Sequence, residues 1–456
     1  MVTGAQKPAT SGGILNSLPQ LFGVAVTAFT ISDLRNKILF TIGMLIAFRF
    51  LAHVTIPGAD ISGFQQTFEQ NELLGFFNIF SGGALQNLSI ASLGVYPYIT
   101  ASIIMQILTA VVKPLREVSR EGERGRATIT RYTHYLTIPL AFMYSFGQLN
   151  ILNTLGGSAA VANFGFGGDA FNTIAILCSM TAATMLLVWM GELITEKGIG
   201  NGISLIIFVG ILTTVPTIVV QLWTLAGQHL FQVVLLIALV LVIIYFVVYV
   251  TEAQRRIPVQ YGRSIFRSGR MYRQTGASHI PLRLNAAGMI PLIFAFAIIS
   301  LPSVLASYFA NPQQRSELVS TVAFWVVNNF GPTAWLYWVV LFVLVVMFAF
   351  LYTYAVYSQQ NIAENLQKNG GFIPGIRPGP PTQAYLTGVI LRITWGGSLF
   401  LGLLAISPWL AQALVSDIDT VALVQSTSIL IMVGVALDTL RQLEAQLLMR
   451  NYQEFI

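Results

Sequence analysis

Side chains that could carry out chemistry are few and widely separated in this 456-residue chain. The single cysteine, Cys178, excludes an intramolecular disulfide and a thiolate metal cluster. The four histidines lie in different segments or loops, at His53, His134, His229 and His279. The chain has no G-x-x-x-x-G-K-[ST] nucleotide-binding loop and no H-E-x-x-H or G-x-S-x-G motif. The sequence therefore argues against an enzyme and predicts neither a metal nor a cofactor.

Ionisable side chains are nearly absent from the interior of the apolar segments. Ion-driven carriers usually place such groups at mid-membrane, so this scarcity argues against a carrier of that kind. Arg49 is the basic exception. It either faces a polar pathway or is structural, snorkelling or bonded to backbone, and the structural interpretation is favoured. Glu192 ends the fourth segment, and Asp438 lies three residues before Arg441, which predicts a local ion pair.

The composition places the chain in a bilayer. It is 55% hydrophobic and 9% charged, with a mean hydropathy of +0.71, whereas an ordinary soluble domain has about 25% charged residues. Segments of ~20 mostly apolar residues are long enough to cross a membrane as helices. The predicted fold class is therefore an all-α polytopic membrane protein. Ten such segments occur, near 38–56, 88–112, 131–151, 172–194, 202–222, 232–250, 286–308, 334–357, 384–407 and 424–444.

Basic residues are concentrated on one side of these ten segments. If the N terminus is cytoplasmic, the outside loops contain one basic residue, Arg315, and seven acids. Such an asymmetry of Lys and Arg predicts that both termini lie in the cytoplasm. Residues 1–32 are expected to be a cytoplasmic tail, with a surface helix as the alternative. The seven acids are Asp60, Glu69, Glu72, Asp169, Glu317, Asp417 and Asp419.

The second segment is interrupted by residues that a lipid-facing helix would not need. Irregular backbone at membrane depth survives only where protein buries it or water lines it. Val95, Ile99 and Ile103 recur every four residues and place an aliphatic stripe on one helical face. The sequence therefore predicts a path through the membrane at this segment. The interrupting residues are Gly82, Gly83, Gly94 and Pro97.

The seventh segment, which contains Pro291 and Pro302, is the other helix predicted to be irregular. If the chain divides after the fifth segment, residues 33–225 and 226–456 each contain five spans, and the second half is inverted relative to the first. Inverted halves with interrupted helices at matching positions locate a passage at their interface. The sequence thus predicts two inverted five-helix halves around a central pore.

Two long inside loops, residues 251–285 and 358–383, are also unusual. The first interleaves arginines with aromatic residues, and the second is rich in Gly and Pro. Both could serve only topology and attraction to anionic lipids. Docking of a large cytoplasmic partner, RNA or an acidic protein surface, is favoured, because orientation alone needs only a few charges.

Five stretches stand out by their order and spacing: SIASLGVYPYITASIIMQ, ITEKGIGNGISLIIFVGI, EAQRRIPVQY, PLRLNAAGMIP and GGFIPGIRPG. In this order and spacing they resemble the SecY family of protein-translocation channels. The resemblance extends from about residue 33 to the C terminus and points to a bacterial member. It implies the central subunit of the Sec translocon, a gated channel that moves unfolded secretory polypeptides across the membrane and releases transmembrane segments sideways into lipid.

The resemblance also implies site residues. In the family, a ring of aliphatic side chains closes an hourglass pore at its waist, a plug blocks the outer funnel at rest, and segments two and three against seven and eight form a lateral gate. The ring positions are Val95, which replaces a more usual isoleucine, and Ile99, Ile203, Ile207, Ile293 and Ile431. The plug covers about residues 70–84, with Leu73, Leu74, Phe76, Phe77, Ile79, Gly82 and Gly83 as its matching residues.

Several partners follow from the same resemblance. The two inside loops correspond to the docking surface for the ribosome and the SecA motor ATPase, with Arg255, Arg256 and Arg377 as the best-matched basic positions. SecE and SecG would be the accompanying membrane subunits. Signal sequences and nascent secretory chains would be the substrates, and anionic lipids would surround the complex. The chain would be a multi-pass protein of the bacterial cytoplasmic (inner) membrane.

Two alternatives to a channel stay open at this point. An alternating-access transporter of small solutes should have a polar pocket at mid-membrane, whereas the candidate waist here is aliphatic. A membrane insertase without a through-pore would need the lateral gate but would not export soluble domains.

Overall fold

Helices make up most of the described chain, as the apolar segments predict. Inside a bilayer only a helix or a closed barrel satisfies the hydrogen bonding of every backbone polar group. Long apolar segments are therefore expected to form helices. Each of the ten predicted segments overlaps at least one helix. The computed structural model describes residues 31–59, 81–155, 161, 164, 170–227, 229–267, 270–285, 288, 290–307, 317–331, 334–360, 362–414 and 426–453.

The first half of the described chain contains seven helices and one extended connection. The first helix ends at Leu51, earlier than the predicted span 38–56, and after a turn at residues 52–53 the chain runs extended through residues 54–56. The Leu88 carbonyl accepts a hydrogen bond from Ile56 N at 2.8 Å, and Ile90 N donates to the Val54 carbonyl at 2.9 Å. The helices are α1 (Ser32–Leu51), α2 (Tyr96–Val111), α3 (Lys113–Arg120), α4 (Glu123–Leu155), α5 (Ala170–Lys197), α6 (Gly202–Leu212) and α7 (Val215–Ala226).

The second and fifth segments are both broken. Residues 81–95 form consecutive turns, and α2 begins only at Tyr96, with Pro97 in its first turn. A proline there costs no hydrogen bond, because the first backbone N–H groups of a helix have no intrahelical partner. The fifth segment, predicted as one span, is instead two helices separated by Thr213 and Thr214. Half-helices that end inside the bundle can place side chains around a passage.

The second half of the described chain contains eight helices and three strands. The predicted irregularity of the seventh segment is wrong within 290–307, because this stretch is one continuous helix that contains Pro302. The elements are α8 (Leu230–Glu252), β1 (Gln254–Arg267), β2 (Arg270–Arg283), α9 (Ile290–Ser307), α10 (Glu317–Asn329), α11 (Trp335–Gln360), α12 (Ile362–Lys368), β3 (Gly371–Phe372), α13 (Pro380–Ala405), α14 (Ser407–Leu414) and α15 (Ser426–Gln453).

The two loops predicted as separate form one small unit. Strands β1 and β2 pair as an antiparallel hairpin from Gln254↔Arg283 onward, and β3 pairs with β1 at Gln260↔Phe372, in the order β2-β1-β3. Ile257 and Val259 of β1 are buried against α12 and the first turns of α13. We call residues 254–283 and 362–390 the sheet unit, and the end of the bundle that carries it the sheet end.

Length and composition mark four of the described helices as able to cross a membrane by themselves. A fifth crossing is added if α2 and α3, which bend by 104° at their junction, are counted as one broken span. The apolar helix α6 is shorter and forms one half of the broken fifth segment. The chain is a multi-pass membrane protein, and the count of ten spans stays a prediction. The four helices are Ala170–Lys197, Leu230–Glu252, the helix beginning at Trp335, and Pro380–Ala405.

Candidate channel constriction and gate

Five of the six predicted ring residues, from three parts of the chain, lie in or against one hydrophobic cluster. Val95, Ile207 and Ile431 belong to one buried hydrophobic cluster and expose 0%, 3% and 0% of their surface. Ile203 and Ile99 are partly buried and pack against the same cluster. Five of the six predicted residues are thus brought together by α6, α15 and the start of α2.

The sixth residue, Ile293 of α9, lies in the neighbouring cluster and is 5% exposed. Ile99 packs against both clusters and so lies between Ile293 and the other four ring residues. The ring positions therefore lie where two hydrophobic clusters meet, and α2 and α15 contribute side chains to both clusters.

The start of α6 is fixed tightly, and this fixes Ile203 and Ile207. Asn201 caps the helix by accepting a hydrogen bond from Ser204 N at 3.2 Å. Gly202 N donates to Thr195 Oγ1 of α5 at 2.9 Å. A Cβ on Gly202 would lie 1.9 Å from the Gly191 carbonyl oxygen, so only glycine lets the two helices approach this closely.

The turns before α2 are held by the extended connection after α1. Ser89 Oγ donates to the Leu51 carbonyl at 2.8 Å, and Thr55 and Ser89 form an antiparallel bridge. Leu88 and Gly94 adopt positive φ, at 43° and 56°. This irregular backbone is buried by protein, as the interrupted sequence of the second segment predicts.

Of the predicted plug residues, the structure describes Gly82 and Gly83, which form part of these turns. Gly82 is buried, and its carbonyl accepts a hydrogen bond from Arg49 Nη1 at 2.8 Å. The structural interpretation of Arg49, a side chain bonded to backbone, is confirmed. The remaining plug residues, Leu73, Leu74, Phe76, Phe77 and Ile79, lie outside the described residues.

The elements of the predicted lateral gate are neighbours. Helix α9 contacts α2 and α4 and packs along α11. Tyr96 of α2 lies edge-on to Tyr144 of α4, with ring centroids 5.2 Å apart. The boundary between α2 with α4 and α9 with α11 is where the sequence predicts the gate.

Two polar contacts between helices, a histidine–glutamate hydrogen bond and an arginine–glutamate ion pair, escaped the sequence reasoning. His134 Nε2 of α4 lies 2.7 Å from Glu192 Oε1 of α5, with the Tyr98 ring centroid 5.8 Å from that of His134. Arg441 forms the predicted pair with Asp438 at 3.7 Å, but it also bonds Glu252 of α8 at 2.5 Å. The paired residues are 58 and 189 positions apart in the sequence, so their spacing does not predict the contacts.

The three predicted docking arginines lie on the sheet unit and are exposed. Arg255 and Arg256 lie at the start of β1, and Arg377 lies in the turns between β3 and α13. Thr382 Oγ1 donates to the Arg377 carbonyl at 2.8 Å, and Gly375 and Gly379, on either side, adopt positive φ. The structure thus presents Arg377 on a defined turn of the same unit as the other two.

Comparison with known proteins identifies the family. The family model described as SecY matches residues 89–440. The chain belongs to the SecY family. Relatives called protein translocase subunit SecY include those of Streptomyces scabiei and Corynebacterium glutamicum, each 41% identical, with 94% of this chain and 98% of the relative covered. The relative from Thermotoga maritima is 38% identical, with coverage of 94% and 96%.

Solved structures show the same fold at low identity. A protein-conducting channel has a TM-score of 0.59 at 17% identity and covers 90% of this chain and 91% of its own. Sec61 in the canine ribosome–channel complex has a TM-score of 0.54 at 16% identity, with the same coverage. The all-α channel architecture that the sequence predicts is therefore the fold of the SecY family.

Proposed function

We propose that this chain is the channel subunit of a Sec translocon, which moves unfolded secretory polypeptides across a membrane and releases apolar segments into lipid. The observation that carries this proposal is the convergence of Val95, Ile99, Ile207 and Ile431 on one apolar cluster, with Ile293 across a helix boundary. Family membership supports it, because relatives at about 40% identity are named translocase subunits.

The ring closes the channel by excluding water. A constriction lined by branched apolar side chains dewets when it is empty, which blocks ions without a tight steric seal. The same side chains can close around a passing polypeptide, whatever its sequence, because dispersion contacts are not directional. The chain needs no covalent chemistry for this, and the energy for transport comes from outside it.

The plug and the lateral gate are the parts of the channel that we propose to move during transport. Residues 70–84 block the outer funnel at rest and move aside when a polypeptide enters. An apolar segment of the substrate leaves between α2 with α4 and α9 with α11, since that boundary can open while each group stays packed. Signal sequences are recognised at this gate because they are apolar enough to partition into lipid.

The sheet unit faces the cytoplasm of a bacterium, with both termini on that side. This follows from the excess of Lys and Arg at the sheet end. The proposed partners there are the SecA motor ATPase and the ribosome. The proposal also includes the membrane subunits SecE and SecG and the surrounding anionic lipids. Related channels in ribosome-bound complexes support the ribosome as a partner.

The experiment replaces Ile207 and Ile293 with serine. We expect the double variant to leak ions from vesicles and to transport substrates with defective signal sequences, because hydroxyl groups keep the constriction hydrated. Each change of a buried isoleucine also costs about 2–5 kcal/mol of stability, so folding is checked first by size exclusion. The matched control is Val242→Ser, on an exposed position of α8. Permeability equal to that of wild type in the folded double variant would argue that the ring is not the seal.

A further inference from the structure

Arg441 joins the helix that carries a ring residue to the end of α8. Its Nη2 donates to Oε1 of Glu252, the last residue of α8, at 2.5 Å, whereas its Nη1 lies 3.7 Å from Asp438, one turn earlier on α15. The residues that α15 contributes to the hydrophobic cluster shared with α8 end at Val433, about 12 Å along the helix from Arg441. The ion pair therefore joins the two helices beyond their shared apolar packing, at the sheet end.

The β1–β2 hairpin follows Glu252 without a flexible linker. Ala253 is the single residue between α8 and β1. Its N–H donates to the Tyr249 carbonyl at 3.0 Å, and its carbonyl accepts a hydrogen bond from Leu284 N, just after β2, at 2.8 Å. Both strands are thus bonded to the end of α8, so a displacement of the hairpin reaches Glu252. Arg255, a predicted docking residue, lies three positions further on and is exposed.

Helix α15 also packs against α6, at the ring and at the start of α6. Ile431 and Ile207 lie in one buried cluster. Thr439 lies two residues before Arg441, and a Cβ on Gly200 would lie 3.2 Å from Thr439 Oγ1. Gly200 has a φ of +85° and directly precedes the residue that caps α6. The part of α15 that holds Arg441 is therefore in close contact with the chain that leads into two ring residues.

Helix α6 is anchored independently of α15. Gly202 N donates to Thr195 Oγ1 of α5, and the Gly191 carbonyl leaves no room for a side chain on Gly202. The start of α6 is therefore fixed to α5. A displacement of α15 consequently moves Ile431 relative to the ring residues of α6.

We infer that Arg441 is a positioning residue that couples the β1–β2 hairpin to the ring through Glu252. The inference rests on the proposed function, in which a cytoplasmic partner docks on the sheet unit. The docked partner displaces the hairpin, the ion pair transmits this displacement to α15, and Ile431 moves relative to the ring residues of α6. A contact can carry no more coupling than its own interaction free energy, so a partly exposed ion pair changes transport several-fold and does not abolish it.

The test compares SecA binding with SecA-driven transport in inverted vesicles that contain the channel complex. We expect Glu252→Gln and Arg441→Gln each to leave SecA binding unchanged and to lower transport about fivefold, the change in an equilibrium constant that a partly exposed ion pair accounts for. Because each change removes the same bond, the double variant should be no slower than either single variant. Arg441→Lys keeps the charge and should retain part of the transport.

Asp438→Asn is the matched control, because it neutralises the other acid beside Arg441 without removing the bond between the helices. This variant should transport at the rate of wild type. Normal transport through folded Glu252→Gln, an equal loss in Asp438→Asn, or losses that add in the double variant would each overturn the inference. A loss of SecA binding would also overturn it, since the pair would then only shape the docking surface. Glu252 is half-exposed, so Glu252→Gln carries the test where Arg441→Gln does not fold.

Gly200→Ala tests the step from α15 to α6. Its Cβ would lie 3.2 Å from both Thr439 Oγ1 and Leu205 Cδ1, between the two helices, so we expect the resting channel to leak ions. Gly122→Ala is the control for backbone strain, because Gly122 also has a positive φ, +76°, but nothing lies within 4 Å of its Cβ position. A folded Gly200→Ala channel that neither leaks nor loses transport would contradict this step.

The wild-type channel and Arg377→Glu separate the inference from the proposed function. If SecA neither binds the wild-type channel nor drives transport through it, the proposed docking is wrong and the inference fails with it. If SecA drives wild-type transport and Arg377→Glu lowers it, the proposed docking stands. Normal transport through the Glu252 and Arg441 variants under those conditions would then reject the inference alone.

Discussion

Charged side chains in the apolar part of this molecule bind across elements rather than line a polar pathway. Arg49 bonds the turn before α2, Glu192 joins α5 to α4, and Arg441 joins α15 to α8. The side chains in these pairs are only partly buried, so each pair is expected to contribute about 1 kcal/mol to stability rather than the larger amount typical of fully buried charges. Their role here is to fix which helices move together.

The His134–Glu192 pair should couple α4 to α5. A double-mutant cycle with His134→Ala and Glu192→Ala is expected to give a coupling free energy of about 1 kcal/mol, because the two side chains are only partly exposed, at 27% and 37%. Thermal unfolding in detergent provides the measurement. The control cycle pairs Glu192→Ala with His53→Ala, in the turn after α1, for which additive effects are expected. Additivity in the test cycle would show that the pair contributes nothing to holding the helices together.

At the scale of elements, hydropathy predicts where helices lie but not where they break. The breaks before α2 are visible as Gly82, Gly83, Gly94 and Pro97, since these residues disfavour a helix. Pro302, by contrast, lies inside a continuous α9. Neighbouring helices can satisfy the backbone group that such a proline frees, and one sequence does not show its neighbours.

The sheet unit also could not be predicted from the sequence, for a physical reason. Ile257 and Val259 alternate with exposed residues as a strand requires, yet the apolar surface they bury against belongs to α12 and α13, over 100 residues later. Gly371 of β3 pairs with Tyr261 of β1, and a Cβ on Gly371 would lie 2.8 Å from the Tyr261 ring. Pairing over such a distance depends on the whole fold. The docking arginines could be predicted from the sequence, but their position on one structural unit could not.

Because the docking arginines lie on one unit, we expect substitution of one of them to impair docking. Arg377→Glu should lower SecA-driven transport by about thirtyfold, the effect of losing an interface arginine worth ~2 kcal/mol. Lys368→Glu on α12 is the control, because it makes the same charge change on the same unit and removes only an exposed pair with Glu364. Transport assays in inverted vesicles measure both. An equal loss of transport in the two variants would mean that the net charge of the sheet unit, and not the position of Arg377 on its turn, determines docking.

At the scale of the whole molecule, the ring residues lie on the boundary between two packed groups. The cluster around Val95, Ile207 and Ile431 draws mainly on α1, α5, α6 and the turns before α2, and the cluster around Ile293 draws mainly on α8, α9, α11 and α13. Helices α2 and α15 contribute to both clusters. The described ring side chains at this boundary are aliphatic, whereas a transporter of small solutes would need polar groups there, which argues against the transporter alternative. The same boundary serves both a channel and an insertase, and the two differ only in whether a soluble chain passes the ring.

A photoreactive residue at position 99 separates these two functions. With a secretory chain stalled in transit, we expect crosslinks from Ile99 to soluble, hydrophilic parts of the substrate, because Ile99 packs against both clusters at the ring. The same probe at Val242, on an exposed face of α8, should yield lipid adducts and no substrate crosslinks. Crosslinks from Ile99 to transmembrane segments only would favour an insertase, since an insertase needs the lateral boundary to open but never admits a hydrophilic chain between Ile99 and Ile207.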